Sequence, residues 1–458
     1  MNNRPVDATR RRFLTAASLA LGAVPFQALG LRTGENTRLA TSGYSQNVAA
    51  GYGPLQPVQD ETTGLPLLHL PTGFRYLSFG WTGDPLNDNS ETPGWHDGMA
   101  AFPTSNGLIQ LIRNHELRSG TAFSNNTVYD PNAGGGTTTV EFDPTRGVAT
   151  GAWASLAGTA VNCAGGPTPW GSWLTCEETV AGPGGDNNYQ EPHGYIFEVP
   201  VEETATVRPL RAMGRFVHEA VAVDPATGII YETEDRPSAG LYRFIPTQAE
   251  QLLLGGRLEM LSLAGVARAD LRTGQTVNVW HPVTWVPIDD PDPASIQADG
   301  IFRQGADAGG ATFARLEGAW HGEGRIFIVS TDGGEAQAGQ IWEYDPTGNR
   351  LRMVFESPGF DVLDMPDNLC VSPRGGLILC EDGKNQSFVR GLTMDGTLFP
   401  FAKNNVVLNG EKNGFEGDFR EREFAGATFS PDGRWLFFNA QSPGISFAVT
   451  GPWTRGPL

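Results

Sequence analysis

Lysine is scarce in this chain, cysteine occurs four times, and no long apolar run follows the first thirty residues. Each shortage excludes something. A bilayer span needs ~20 consecutive apolar residues, so no membrane-crossing helix is expected after processing. A formal net charge of −19 argues against nucleic acid as a partner. The sequence has no zinc-type Cys/His spacing, no glycine-rich nucleotide loop and no Gly-x-Ser-x-Gly elbow, which removes the commonest signatures of zinc sites, nucleotide binding and serine hydrolases. The cysteines are Cys163, Cys176, Cys370 and Cys380. Cys370 and Cys380 flank a turn at 372–376, so they could face each other on neighbouring strands, as a disulfide or as buried thiols. Spacing alone does not decide between these.

What is present starts with an address. Arg10-Arg11-Arg12-Phe13-Leu14 is a twin-arginine export pattern, followed by an Ala- and Gly-rich stretch interrupted by Pro25 and Gln27. Residues 1–30 are read as a cleaved signal peptide and 31–58 as an extended Gly/Ser/Asn-rich arm. The mature protein is expected to be periplasmic or secreted, a monomer, and carried by the twin-arginine export machinery. Glycine and proline are abundant along the chain, 59 and 33 residues, which is the composition of many strands joined by tight turns.

A repeat runs through the remainder. Segments 103–116, 167–178, 224–235, 321–332, 372–382 and 430–441 each read as a turn, a short apolar strand and a polar end that is usually acidic. Most are followed by a second strand signal, at 138–143, 195–199, 241–244, 340–344 and 388–392. Strand, turn, strand, acidic end, loop, strand is the pattern of a propeller blade, and six units predict an all-β, six-bladed β-propeller over 59–458. The longest gap, about 248–310, is read as outer strands plus an inserted loop or helical segment. Residues 65–80 are expected to supply a strand that closes the ring and removes an exposed edge.

Equivalent blades bring equivalent positions to one place. Glu116, Glu178, Asp235, Asp332 and Glu381 or Asp382 should then converge near the axis. Like charges so gathered oppose folding unless cations compensate them, so a metal cluster at the central channel is expected. Most units are also preceded by a second polar cluster, where the innermost strands begin: Asn162-Cys163, His218-Glu219, Arg315-Leu316-Glu317, Asp367-Asn368 and Glu423. Small residues beside them, including Gly165, Gly166, Gly318 and Gly426, let backbones approach. Carboxylates and carboxamides suit calcium, and a Cys163 thiolate suits a softer transition metal. His115 and His218 each precede a Glu, and strand alternation turns the two members of each pair to opposite faces. The histidines are therefore read as structural. Arg315 and Glu317 share a face, as an ion pair or as a phosphate clamp beside the acid.

The carriers at 162–178, 214–220, 315–318, 367–369 and 423–433, together with the twin-arginine signal, resemble the PhoX-type alkaline phosphatases over roughly 108–444. The resemblance implies a six-bladed propeller that hydrolyses phosphate monoesters outside the cytoplasm, with ferric iron (Fe3+) and calcium (Ca2+) as cofactor and a small phosphate ester as substrate. It implies Cys163 as the iron-bound thiolate, Glu178, Glu219 and Glu317 as cluster carboxylates, and Arg315 as a phosphate-binding residue. Asp367, Asn368, Glu381 and Glu423 follow as further ligands, with Glu317 and Arg315 at the reaction. Lys384 and Arg113 are candidates for a second basic phosphate ligand. The reaction so implied is attack on phosphorus by a metal-bound oxygen. The competing readings are a calcium-propeller hydrolase of phosphodiesters, phosphotriesters or lactones, and a non-catalytic calcium-binding propeller.

Overall fold

In a computed structural model, residues 51–458 are described apart from 203 and 294–298. The expected signal peptide at 1–30 and most of the arm at 31–58 lie outside the described residues. The described chain is nearly all-β, and its strands meet almost entirely as antiparallel neighbours.

Short antiparallel sheets follow one another along the chain. The first holds His96–Pro103, Ile109–His115, Gly135–Asp143 and Val148–Thr159. Asn162–Pro167, Ser172–Glu177 and Ile196–Pro200 form the next. His218–Val223, Ile230–Glu234, Leu241–Pro246 and Gly256–Leu263 come third. His281–Pro287 then links the third sheet to the outer strand of the fourth, Leu316–Gly322, Arg325–Ser330, Gln340–Asp345 and Arg350–Glu356. Pro366–Val371, Leu377–Glu381, Phe388–Leu392 and Leu398–Asn404 follow, widened by Leu68–Pro71 and Leu55–Val58. The last sheet joins Phe424–Phe429, Trp435–Ala440 and Ile445–Thr450 to Arg75–Phe79 from the other end of the chain. The strand expected within 65–80 thus pairs with the C-terminal sheet and covers its edge. Within 248–310 the described residues form outer strands and a short helix, Gly300–Asp307.

The strands read as near-continuous apolar runs because each sheet is covered on both faces by its neighbours. Arg325–Ser330 is buried from Ile326 onward, and Trp435–Ala440 is buried throughout. Turn chemistry sets the ends. At 430–435, Ser430 Oγ donates to Asp432 Oδ1 at 2.7 Å and accepts the Trp435 amide at 3.0 Å. Gly433 takes the left-handed φ of 66° that this turn requires.

The first strands of the sheets contact one another in chain order, and Phe424–Phe429 returns to lie against His96–Pro103, so their order closes on itself. Glycine permits this crowding. A Cβ on Gly166 would stand 2.0 Å from the Val221 carbonyl oxygen, one on Gly318 2.6 Å from that of Asp367, and one on Gly426 2.5 Å from that of Asp97.

One irregularity recurs in every first strand. The pairing slips between His96 and Met99, Asn162 and Gly165, His218 and Val221, Leu316 and Ala319, Pro366 and Asn368, and Ala425 and Thr428. A bulge re-aims the side chains it contains. The residues inside five of these bulges include Asp97, Cys163, Glu219, Glu317 and Asp367.

Candidate metal centre

A second regularity fixes the level of the site. The amides of Glu116, Glu178, Asp235, Thr331, Asp382 and Gln441 donate to the carbonyls of Trp95, Val161, Val217, Arg315, Met365 and Glu423, each of which immediately precedes a first strand. Six strand ends are thereby tied to six strand starts at one level of the ring. In the fourth sheet the tied residue is Thr331, so Asp332 lies one position further along than its expected counterparts.

Strand alternation then sorts the acidic pairs. Glu177 faces its own sheet: it accepts His193 Nδ1–H at 2.6 Å and the Ala160, Gly194 and Tyr195 amides. Glu234 likewise accepts the Tyr242 hydroxyl at 2.7 Å, and burial raises its pKa to about 7. Glu381 accepts Arg390 Nε–H at 2.7 Å and the amides of Asp364 and Phe388. The neighbours Glu178, Asp235 and Asp382 turn the other way. Asp382, rather than Glu381, is the residue whose carboxylate gathers with Asp367 and Glu423, with one ligand atom from each lying within 4.8 Å of the others. Asn368 beside them is fully buried, and neither its Oδ1 nor its Nδ2 has a hydrogen-bond partner among the described residues. His115 turns inward, between the Gly94 carbonyl and Thr138 Oγ1, and His218 packs on Phe216 with Nε2 at the Gly214 carbonyl.

The other candidates form a connected set. Cys163 is fully buried, with Sγ 3.4 Å from the His218 carbonyl oxygen. Burial raises its pKa well above the ordinary thiol value, and the negative fields of Glu219, Glu178 and Asp97 add to the effect. Glu178 is also raised, first by burial and further by Glu116 and Asp235, against the opposing pull of Arg118. Arg118 Nη2 donates to Glu116 Oε1 at 2.5 Å and Glu178 Oε2 at 2.7 Å. Gln441 Nε2 bridges Asp97 Oδ2 at 2.8 Å and Glu116 Oε2 at 2.7 Å. Across the ring, Arg315 holds both oxygens of Asp235, at 2.7 and 2.9 Å, and Glu317 Oε1 at 2.5 Å. Arg315 therefore makes the ion pair foreseen for it, with a second carboxylate added.

Two residues of this set are absent from the sequence reading, Asp97 and Arg118. His96-Asp97-Gly98 repeats the pattern of His218-Glu219-Ala220, an acid followed by a small residue at a first-strand start, and that likeness could have found Asp97. Arg118 lies beyond a strand end, where no periodicity marks it. The two basic candidates differ in their settings. Arg113 is buried in its sheet, donating to Gly80 O, Ser446 Oγ and Thr138 Oγ1. Lys384 is exposed, with its ammonium 5.6 Å from the centre of the Phe360 ring. Cys370 and Cys380 are buried and not joined by a disulfide, and the same holds for Cys163 and Cys176.

Buried carboxylates, a carboxamide without partners and a thiol held among acids form a donor set suited to cations. A cation here would oppose the burial and the negative field that together raise Cys163 and Glu178. Among the described residues no helix is long and apolar enough to cross a membrane.

The sequence profile of the family described as alkaline phosphatase PhoX matches residues 50–148 and 143–444. Among solved structures, Pseudomonas fluorescens PhoX in complex with vanadate, a transition state analogue, is similar with a TM-score of 0.63 at 16% identity, covering 88% of this chain and 99% of that one. A gluconolactonase from Xanthomonas campestris gives a TM-score of 0.44 at 13% identity, over 88% and 98% of the two chains. A search of curated protein sequences finds no match. The solved relative gives the fold as a β-propeller, and the profile spans nearly the whole described chain: this protein belongs to the PhoX family of alkaline phosphatases.

Proposed function

We propose that the chain is an exported six-bladed propeller that hydrolyses phosphate monoesters at a centre of ferric iron and calcium. Cys163 would hold iron. Asp97, Glu178, Glu219, Glu317, Asp367, Asn368, Asp382 and Glu423 would share the remaining positions, with Asp382 in the role the sequence suggested for Glu381. The observation that carries this reading is the recurrence of one bulge, at one level of the ring, that contains Asp97, Cys163, Glu219, Glu317 and Asp367 in turn.

Bound cations would neutralise phosphoryl oxygens and make water a nucleophile near neutral pH. The chain's own contribution is positioning. Arg315 is pre-aligned by Asp235 and Glu317, so its guanidinium is already fixed when an anionic ester arrives, and a planar fork suits phosphate oxygens. Arg118 is the second such group, half-exposed and anchored by Glu116 and Glu178. It takes the place for which Lys384 and Arg113 were candidates. Two arginines and the cations offset the chain's strong negative charge at the point where an anion must bind. The twin-arginine pattern at 10–14 supports export of the folded protein.

The test is direct. Protein purified with iron and calcium is assayed on aryl and sugar phosphates from neutral to alkaline pH. Turnover that releases inorganic phosphate is expected, and its absence from metal-replete protein would overturn the reading.

A further inference from the structure

Among the described residues, two Trp or Phe side chains are substantially exposed, Trp95 at 42% and Phe360 at 38%. Both lie on connections that lead into first strands, and therefore at the end of the ring where the candidate centre sits. Trp95 is the more informative. It immediately precedes His96-Asp97, and its carbonyl accepts the Glu116 amide at 2.9 Å. Arg315 occupies the same position in the fourth sheet, with its carbonyl accepting the Thr331 amide at 2.9 Å.

The two residues also share a left-handed backbone, as do Val161 and Met365 at the same position in the second and fifth sheets. Trp95 has φ 53° and Arg315 has φ 43°. The left-handed region is unfavourable for bulky residues and persists where the surroundings impose it. With matched φ and a matched carbonyl bond, the Cβ of each leaves the backbone in an equivalent direction relative to its sheet. Arg315 reaches Asp235 of the preceding sheet and Glu317 of its own strand. By that correspondence, Gln441 of the preceding sheet and Asp97 of the same strand hold about Trp95 the positions that Asp235 and Glu317 hold about Arg315. First and fourth in a closed order of six, the two stand on opposite sides of the ring.

We infer that Trp95 is a specificity-determining residue that stacks against the alcohol portion of the ester while its phosphate lies toward Arg315, so that esters with a flat aromatic or nucleoside leaving group are preferred over small aliphatic ones. An indole face left open to water at this end of the ring, across from Arg315, presents apolar area to a planar group. This inference rests on the phosphatase reading and deepens it.

The experiment compares kcat/KM for an aryl phosphate and for glycerol phosphate in the metal-loaded wild type, Trp95→Ala and Trp95→Phe. Trp95→Ala is expected to lower the aryl-to-glyceryl ratio by about fivefold or more, mainly through KM for the aryl ester, and Trp95→Phe to restore most of it. Loss of both activities in equal proportion, or a ratio unchanged in Trp95→Ala, would overturn the assignment. A wild type that hydrolyses neither ester fails the phosphatase reading itself, whereas an active wild type with an unaltered ratio in the variant fails only the role of Trp95.

Discussion

Arg315 and Asp235 meet through two parallel hydrogen bonds, Nε to Oδ1 at 2.7 Å and Nη2 to Oδ2 at 2.9 Å, joining the start of one sheet to the strand end of its neighbour. The pair fixes a guanidinium at the rim of the acidic centre. Arg315→Ala should lower kcat/KM for phosphate monoesters by about 10²-fold. Arg315→Lys should recover only part of the loss, because a point charge lacks the planar fork. Steady-state kinetics check both. An Arg315→Ala enzyme with wild-type kcat/KM would reduce the residue to an ion pair.

Glu381 and Asp382 are adjacent but face opposite ways, and substitution should separate them. Asp382→Asn should reduce the metal bound per chain, measured by elemental analysis, with little change in the metal-free protein's urea midpoint. Glu381→Gln should keep the metal and destabilise the fold by about 1–3 kcal/mol, since it weakens the hydrogen bonds to Arg390, Asp364 and Phe388.

Arg118 bridges two buried acids, so its removal should matter most without metal. Arg118→Ala should destabilise the metal-free protein by about 1–3 kcal/mol, because Glu116 and Glu178 lose a charged partner. Loaded with metal, the variant should recover most of its stability and show a raised KM. Thermal unfolding with and without a chelator reads the first effect and kinetics the second.

His193 lies buried between Glu177 and Asp130, with Nδ1 2.6 Å from Glu177 Oε1 and Nε2 3.5 Å from Asp130 Oδ2. Burial, the largest single influence, lowers its pKa, but the two carboxylates together outweigh it and the net shift is upward. A raised folded pKa contributes stability that is complete below the unfolded value, ~6.5, and is lost as pH rises through the folded value. The wild type should therefore lose stability relative to His193→Gln on passing from pH 6 toward alkaline pH. Urea midpoints across that range check the sign, and a gap that widened with pH would contradict it.

The fold was legible because the unit repeats. A turn, an apolar strand and an acidic end recur often enough to reveal the sheet plan, and the strand at 75–79 could be assigned to ring closure because a terminal sheet otherwise leaves an open edge. The candidate site was legible wherever a polar residue stood beside glycine or alanine at a strand start, as with Cys163, Glu219 and Glu317, which the fold places in equivalent bulges. Asp97 escaped because its strand precedes the first unit recognised. The phase of alternation was harder. Glu381 or Asp382 could not be resolved from spacing, since alternation sends the two adjacent acids to opposite faces without saying which face is inward. Arg113 was readable in principle: it lies two residues before His115 and shares its inward face. Arg118 depends on how a loop folds back between Glu116 and Glu178, which no local pattern encodes.

Elemental analysis of wild type and Cys163→Ser, each purified without chelator, tests the central claim that the thiol and the ring of acids enclose cations. The account predicts iron and calcium together in the wild type, with iron lost and calcium largely kept in Cys163→Ser. A wild type free of metal, or one carrying calcium alone and indistinguishable from Cys163→Ser, would contradict it.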